Sequence, residues 1–396
     1  MPFRIAIALV AGLVVPRADA ADLGALLERA WTRDPQARAL DARREAAAAR
    51  GELAAGWLAG PPSLDLTLQS DQPTGDRGAR ELDLGVELPL WWSGERAARA
   101  ALAEREGDGV ERRERALRLA LAGRLREAAW ALALAEAELA LAERQARAAA
   151  QLTGEVERRV AVGELAETDA LLARDEALAA RQTVLERQAT RREALDAWRA
   201  LTGADALPAR LDEPPATAVV EDHPERLAAR AAADLAEARV RVAGRTPDER
   251  PRLVIGGKRE RGAHGEDWDD SVSIGVSIPL GGERLRRAEV ADARAELLDA
   301  AAGQALAEER IPREADAARA ALTLEETRLA QARERHALVG RRLALTQKSF
   351  TLGQTDLPTL LRVRADAAAA EAAAAQQKLR AGRARARLNQ ALGVLP

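Results

Sequence analysis

Between positions 82 and 88 the chain alternates strictly, with Leu82, Leu84, Val86 and Leu88 set against Asp83, Gly85 and Glu87. The pattern returns at Val272, Ile274, Val276 and Ile278, set against Ser271, Ser273, Gly275 and Ser277. A period of two predicts strands with one apolar face and one polar or small-residue face. A strand is also expected ahead of each, over residues 63–69 and 252–258, with the Gly- and Asp-rich segments SDQPTGDRGA and RERGAHGEDWDD as connecting loops. Elsewhere the spacing is helical. One helix is predicted over residues 23–58 and another over 225–242, ended by Pro61 and Pro62 or by Pro247 and Pro251. Two longer helices follow the first strand pair, over residues 95–153 and 164–201. At a rise of about 1.5 Å per residue the first would reach ~80 Å, too long for a compact domain. Leu322, Leu329, His336, Leu343, Phe350 and Leu357 recur every seven residues, as do Leu338, Leu345 and Leu352, and Leu171, Leu178 and Leu185. Such series predict coiled-coil seams, with Gly163 and Gly353 at turns between antiparallel helices and His336 packed on its seam.

These elements are written twice. Asp34-Pro35 recurs as His223-Pro224 at an offset of 189, and Pro89-Leu90 as Pro279-Leu280 at 190. Gly94-Glu95-Arg96 recurs as Gly282-Glu283-Arg284 at 188, Gly163 as Gly353 at 190, and Ala200-Leu201 as Ala391-Leu392 at 191. The landmarks keep one order with little drift, which marks a duplicated unit rather than a short solenoid repeat. The expected division is residues 1–20 as a signal peptide, 21–203 as the first repeat, 204–221 as a Pro-rich linker and 222–396 as the second repeat.

Composition narrows the class. Aromatics make up only 2% and Tyr is absent, so the available core is thin and suits close helix–helix seams of Ala and Leu. The 60 basic and 63 acidic residues are interspersed, and a net charge of −3 gives no electrostatic case for nucleic acid. The absence of Cys excludes disulfides, thiolate metal sites and a lipid-anchored N-terminal Cys. Arg4, the apolar run over residues 5–15, Pro16 and Ala18-Asp19-Ala20 read as a secretory signal with cleavage near Ala21. No later stretch approaches the ~20 apolar residues of a spanning helix.

An exported chain with four one-faced strands and no all-apolar helix to cover them has an open edge problem. Turning the apolar face to lipid and closing the edges into a barrel solves it. Four strands are too few for the smallest such barrels of about eight, so several chains must contribute. Pro89 then ends the descending strand, Gly94 frees the turn into the long helix, and Trp91 and Trp92 fall at the membrane boundary or pack against neighbouring helices. Pro279, Gly281 and Gly282 occupy the corresponding junction.

At this point the chain resembles the TolC-type outer-membrane efflux channel family over essentially all of its mature length. The likeness rests on the duplicated unit, the PLWWSGER and PLGGER junctions, the VGELAETDALL and LGQTDLPTLL turns, and the opening DLGALLERAWTRDPQARAL. Its short, Ala/Arg/Glu-rich helices are most similar to the heavy-metal efflux (CzcC-like) branch. The resemblance implies a mainly α fold with a small transmembrane β-barrel contribution, completed as a homotrimer with one barrel and a long periplasmic helical tunnel. It implies passive conduction of heavy-metal cations or small molecules across the outer membrane of a Gram-negative bacterium. The implied partners are a periplasmic adaptor (membrane fusion) protein, an inner-membrane transporter of the proton-driven RND type and outer-membrane lipid, without a cofactor. In the family the turns at Gly163 and Gly353 would form the closing tip, with Asp356 nearby. The acids six and nine residues after the second glycine are here Thr359 and Arg362, so an acidic ring is not carried over. Asp169 matches an acid that helps hold the tip shut, or is simply solvated; Phe350 stands where a phenol would pair.

Catalytic constellations are missing. His223, His264 and His336 have no metal-ligand spacing, and the acidic segment GEDWDDS fits no EF-hand loop. The competing reading is a soluble periplasmic coiled-coil scaffold or adaptor, whose strands would form a small sheet hidden beneath its own helices.

Overall fold

The computed structural model describes residues 22–281 and 283–396. The signal segment over residues 1–20 and the junction residue Gly282 lie outside the described residues. The chain opens with α1 (Leu23–Arg33) and α2 (Pro35–Ala55), where the sequence pattern predicts one helix. The division has a local cause. Asp34 is extended at φ −73° and ψ 122°, its carboxylate accepts from Gln36 N at 2.8 Å, and Pro35 takes the first helical position, where its missing N–H costs nothing. His223-Pro224 repeats the device, with His223 Nδ1 accepting from Glu225 N at 3.2 Å at the start of α5 (Pro224–Arg245).

Strands β1 (Ser63–Ser70), β2 (Arg80–Pro89), β3 (Arg252–Arg261) and β4 (Asp269–Ser277) form one antiparallel sheet in sequence order. The strand pairs of the two halves thus join through β2 and β3. Pro89 ends the strand as expected. It is the last residue of β2, opposite Arg252, its carbonyl accepts from Ala59 N, and Leu90 N still donates to Pro251 O at 2.8 Å. A proline removes only its own donor, and here its carbonyl keeps working.

Each strand pair leads into a hairpin of long helices: α3 (Glu95–Ala161) with α4 (Glu167–Thr202), and α6 (Glu283–Thr351) with α7 (Leu357–Ala391). At 67 and 69 residues, α3 and α6 are each ~100 Å long, and α6 runs through Pro312. Both hairpins turn alike. Gly163 (φ +79°) donates to Val160 O while Glu164 N reaches Arg159 O; Gly353 (φ +72°) donates to Phe350 O while Gln354 N reaches Ser349 O. These are Schellman caps, and the positive φ is what requires glycine.

The helices pack side by side in a single layer. Near the sheet the packing order is α2–α3–α5–α6, and toward the turns it is α4–α3–α7–α6. Midway, α1 and the segment over residues 203–219 strap the layer. Leu26, Leu27, Trp31, Leu125, Leu132 and Trp198 form a core beneath α1. Arg126, 3% exposed, grips Glu213 with two bonds of 2.8 and 2.6 Å and also donates to Gln390 Oε1 and Val394 O. Asn389 accepts from Ala216 N and donates to Pro214 O. The expected linker is therefore a packed strap. His223, just beyond it, is a buried helix cap.

Candidate functional site

The pairing register assigns each strand residue to a face. One face carries Leu64, Val86, Ile255 and Ile274 in one row, and Leu66, Leu84, Gly257 and Val272 in the next. No helix among the described residues covers it: Leu68 is 76% exposed, Ile274 75% and Val272 82%. The opposite face carries Asp65, Thr67, Asp83, Glu81, Lys258, Glu260, Ser271 and Ser273. Its ion pairs stay on that face, Lys258 with Glu81 at 3.0 Å and Glu260 at 2.6 Å, and Arg252 with Glu87 at 3.0 Å. The strands are 8 to 10 residues long, close to the about 9–11 of a tilted spanning strand. A sheet apolar on one side, charged on the other and unpaired at β1 and β4 fits a wall between lipid and water. The hidden sheet of the scaffold alternative is absent.

Below the sheet, Gly94 at φ +76° turns β2 into α3. Glu95 is fully buried there; its carboxylate accepts from Arg99 Nε at 2.8 Å and Arg250 Nη2 at 3.0 Å, and meets Trp92 N. Burial pushes its pKa upward, and the hydrogen bonds and charges of Arg250 and Arg99 reverse this, leaving it below the ordinary value. Trp91 donates to Gly56 O at 3.0 Å and lies under Arg250, so it packs at the boundary rather than projecting freely. In the second half, Leu280 beside Pro279 is 94% exposed and Gly281 has φ +116°. The Glu95 clasp escaped the sequence reading, although Glu95 and Arg99 recur as Glu283 and Arg287 at the offset already found for Gly94.

At the far end, Leu152, Val156, Phe350, Leu357 and Leu360 join the two hairpins in one core, with Arg159 5.0 Å above the Phe350 ring. Asp169 Oδ2 accepts from Ala166 N at 3.3 Å, and Asp356 Oδ1 from Thr359 N at 3.1 Å. Both acids thus cap helices. The hydroxyl and backbone of Thr359 hold the Asp356 carboxyl below its usual value. Thr359 and Arg362 are exposed on the first turns of α7.

Two of the seven-residue series lie elsewhere than expected. Leu171, Leu178 and Leu185 on α4, and Leu338, Leu345 and Leu352 on α6, are exposed rather than buried in seams within the chain. The reason is position, because α4 and α6 are the two free edges of the lower layer. Leu322, Phe350 and Leu357 are buried as predicted. His336 is exposed and lines a cavity of about 570 Å³ between the hairpins, with Arg364 and Glu371, instead of packing on a seam.

Residues 26–204 match the family model described as outer membrane efflux protein. Over that span the chain is similar to the outer membrane efflux protein family. No curated protein matches the chain. The efflux-protein fold extends over nearly all of it. The outer membrane protein VceC of Vibrio cholerae shares 17% identity at a TM-score of 0.73, covering 94% of this chain and 96% of VceC. CusC, described in terms of transmembrane channel formation, is 16% identical at 0.75, with 94% and 92% covered. The CmeC outer membrane channel of Campylobacter jejuni is 14% identical at 0.72, with 94% and 85% covered. The family match over residues 26–204 and the fold shared over nearly all of the chain support an outer-membrane efflux channel component with a periplasmic helical extension, a conduit rather than an enzyme. Channels of this family work with adaptors and inner-membrane transporters in tripartite systems.

Proposed function

We propose that three copies of this chain close into one exit duct through which cargo passes from periplasmic partners to the exterior. The observation that carries this is the common sense of the free edges. In the sheet they are β1 and β4, in the upper helical layer α2 and α6, and in the lower layer α4 and α6. First-half elements lie at one edge and second-half elements at the other throughout. A head-to-tail interface repeated around an axis satisfies all three at once, and three copies give a twelve-stranded barrel. The exposed leucines of α4 would then meet those of α6 on the neighbour.

Gly163, Asp169, Gly353, Asp356, Thr359 and Arg362 lie at the hairpin turns and form the candidate periplasmic gate. Pro89, Trp91, Trp92, Gly94, Pro279, Gly281 and Gly282 form the candidate junction between barrel and tunnel. The resemblance to the heavy-metal branch supports metal cations among the cargo and a proton-driven RND transporter behind the adaptor. Native mass measurement of the detergent-extracted protein, followed by conductance in planar bilayers, tests the reading. A trimer that conducts is expected; a water-soluble monomer without conductance would overturn it.

A further inference from the structure

The outer rim of the sheet, at the hairpin loops and furthest from the helices, separates its charges by face. Along β2 the order is Arg80, Glu81, Leu82, Asp83, and along β3 it is Lys258, Arg259, Glu260, Arg261. Register places Arg80 opposite Arg261, and Arg259 between Leu82 and Asp270, all on the apolar, lipid-facing side. Glu81, Asp83, Glu260 and Asp269 fall on the other side with Lys258. Trp268 confirms the geometry, since the guanidinium carbons of Arg259 and Arg261 lie 5.5 and 5.0 Å from its ring centroid. The rim therefore presents three arginines outward against a single outward strand acid, Asp270, which meets Arg259 Nε at 3.2 Å. Arg261 Nε donates to Gly78 O at 3.1 Å, and its terminal nitrogens make no hydrogen bond or ion pair among the described residues. The Arg80 side chain makes no hydrogen bond or ion pair among the described residues.

Charged residues on a lipid-facing strand are costly at mid-bilayer and tolerated only near the headgroups. These three stand one to two rows beyond the last fully apolar row, Leu66, Leu84, Gly257 and Val272. Guanidinium forks match phosphate oxygens in geometry and charge, and a stacked tryptophan holds two of them in place at an interfacial depth. We propose that Arg80, Arg259 and Arg261, backed by Trp268, bind a phosphate-bearing glycolipid of the outer leaflet. The inference rests on the outer-membrane channel reading and adds a lipid ligand to it.

The test reconstitutes the full chain in phosphatidylcholine vesicles containing bis-phosphorylated lipid A, dephosphorylated lipid A or phosphatidylglycerol, and reads lipid retained on the extracted oligomer by native mass spectrometry. Retention of the phosphorylated lipid A alone is expected. It should fall about fivefold in Arg80→Gln, which breaks no internal bond, and at least about tenfold when Arg259→Gln and Arg261→Gln are added. Lys258→Gln, on the inward face, should leave it unchanged. Equal retention by the triple variant, or by phosphatidylglycerol vesicles, would overturn the site while leaving the channel intact. Failure of the wild-type chain to insert as an oligomer would remove the channel reading and this site with it.

Discussion

The assignment of sheet faces can be tested with two adjacent residues. Ile274 and Ser273 are neighbours on β4 but point to opposite sides, Ile274 in the row of Leu64, Val86 and Ile255, Ser273 in the row of Asp65, Gly85 and Gly256. Ile274→Arg would place a guanidinium in the middle of the apolar band. On transmembrane barrels this costs about 2–4 kcal/mol per arginine near the midplane, so a three-chain barrel would lose about 6–12 kcal/mol. Ser273→Arg would place the same side chain in water opposite Gly256, where a surface substitution is worth within about 0.5 kcal/mol. The assay is insertion into vesicles together with the temperature at which the oligomer dissociates on a semi-native gel. Ile274→Arg should insert poorly and dissociate early, while Ser273→Arg behaves as wild type. Equal effects, or a larger effect at Ser273, would refute the lipid-facing assignment.

Arg126→Ala should cost about 3–5 kcal/mol, because it strands the largely buried Glu213 carboxylate. Protease cleavage within residues 203–219 should accelerate sharply; an unchanged rate would mean that the strap is held by other contacts. His223 is 4% exposed, and burial holds its pKa below the usual value. Since the unfolded chain takes up the proton first, this residue's contribution to stability is full above the ordinary His range. It falls as pH drops through about 6.5 toward the depressed folded value. His223→Asn, which can still cap α5, should flatten that part of a melting-versus-pH curve, and an unaltered slope would exclude the histidine as its source. Gly382→Ala would drive a methyl group into the Trp130 ring and to 2.9 Å from Asp212 Oδ1, an overpacking worth about 1–3 kcal/mol. Its melting temperature should drop and partly recover on adding Trp130→Leu; no drop would mean that α3 and α7 separate freely there.

Much of this fold was legible in the chain because the signals are local. Alternation of period two fixes which residues of a strand share a face, wherever the strand ends up, so the apolar sides of β2 and β4 could be read directly. Gly163 and Gly353 mark turns because only glycine takes their positive φ cheaply, and Asp34-Pro35 and His223-Pro224 mark helix starts through their own caps. Other features needed the assembled chain. A leucine every seven residues shows that a helix has an apolar stripe but not what covers it. Leu322 and Leu178 therefore looked alike in sequence, yet one is buried within the chain and the other lies on an edge. His336 sits in such a series and still opens onto a cavity, because no partner helix closes over it. The grip of Arg126 on Glu213 and Val394 spans 87 and 268 residues. The outward set of Arg80, Arg259 and Arg261 exists only once β2 and β3 are paired in one register. Residue spacing determines the faces of each element, whereas long-range pairing alone determines which faces meet one another and which are left for lipid or for another copy.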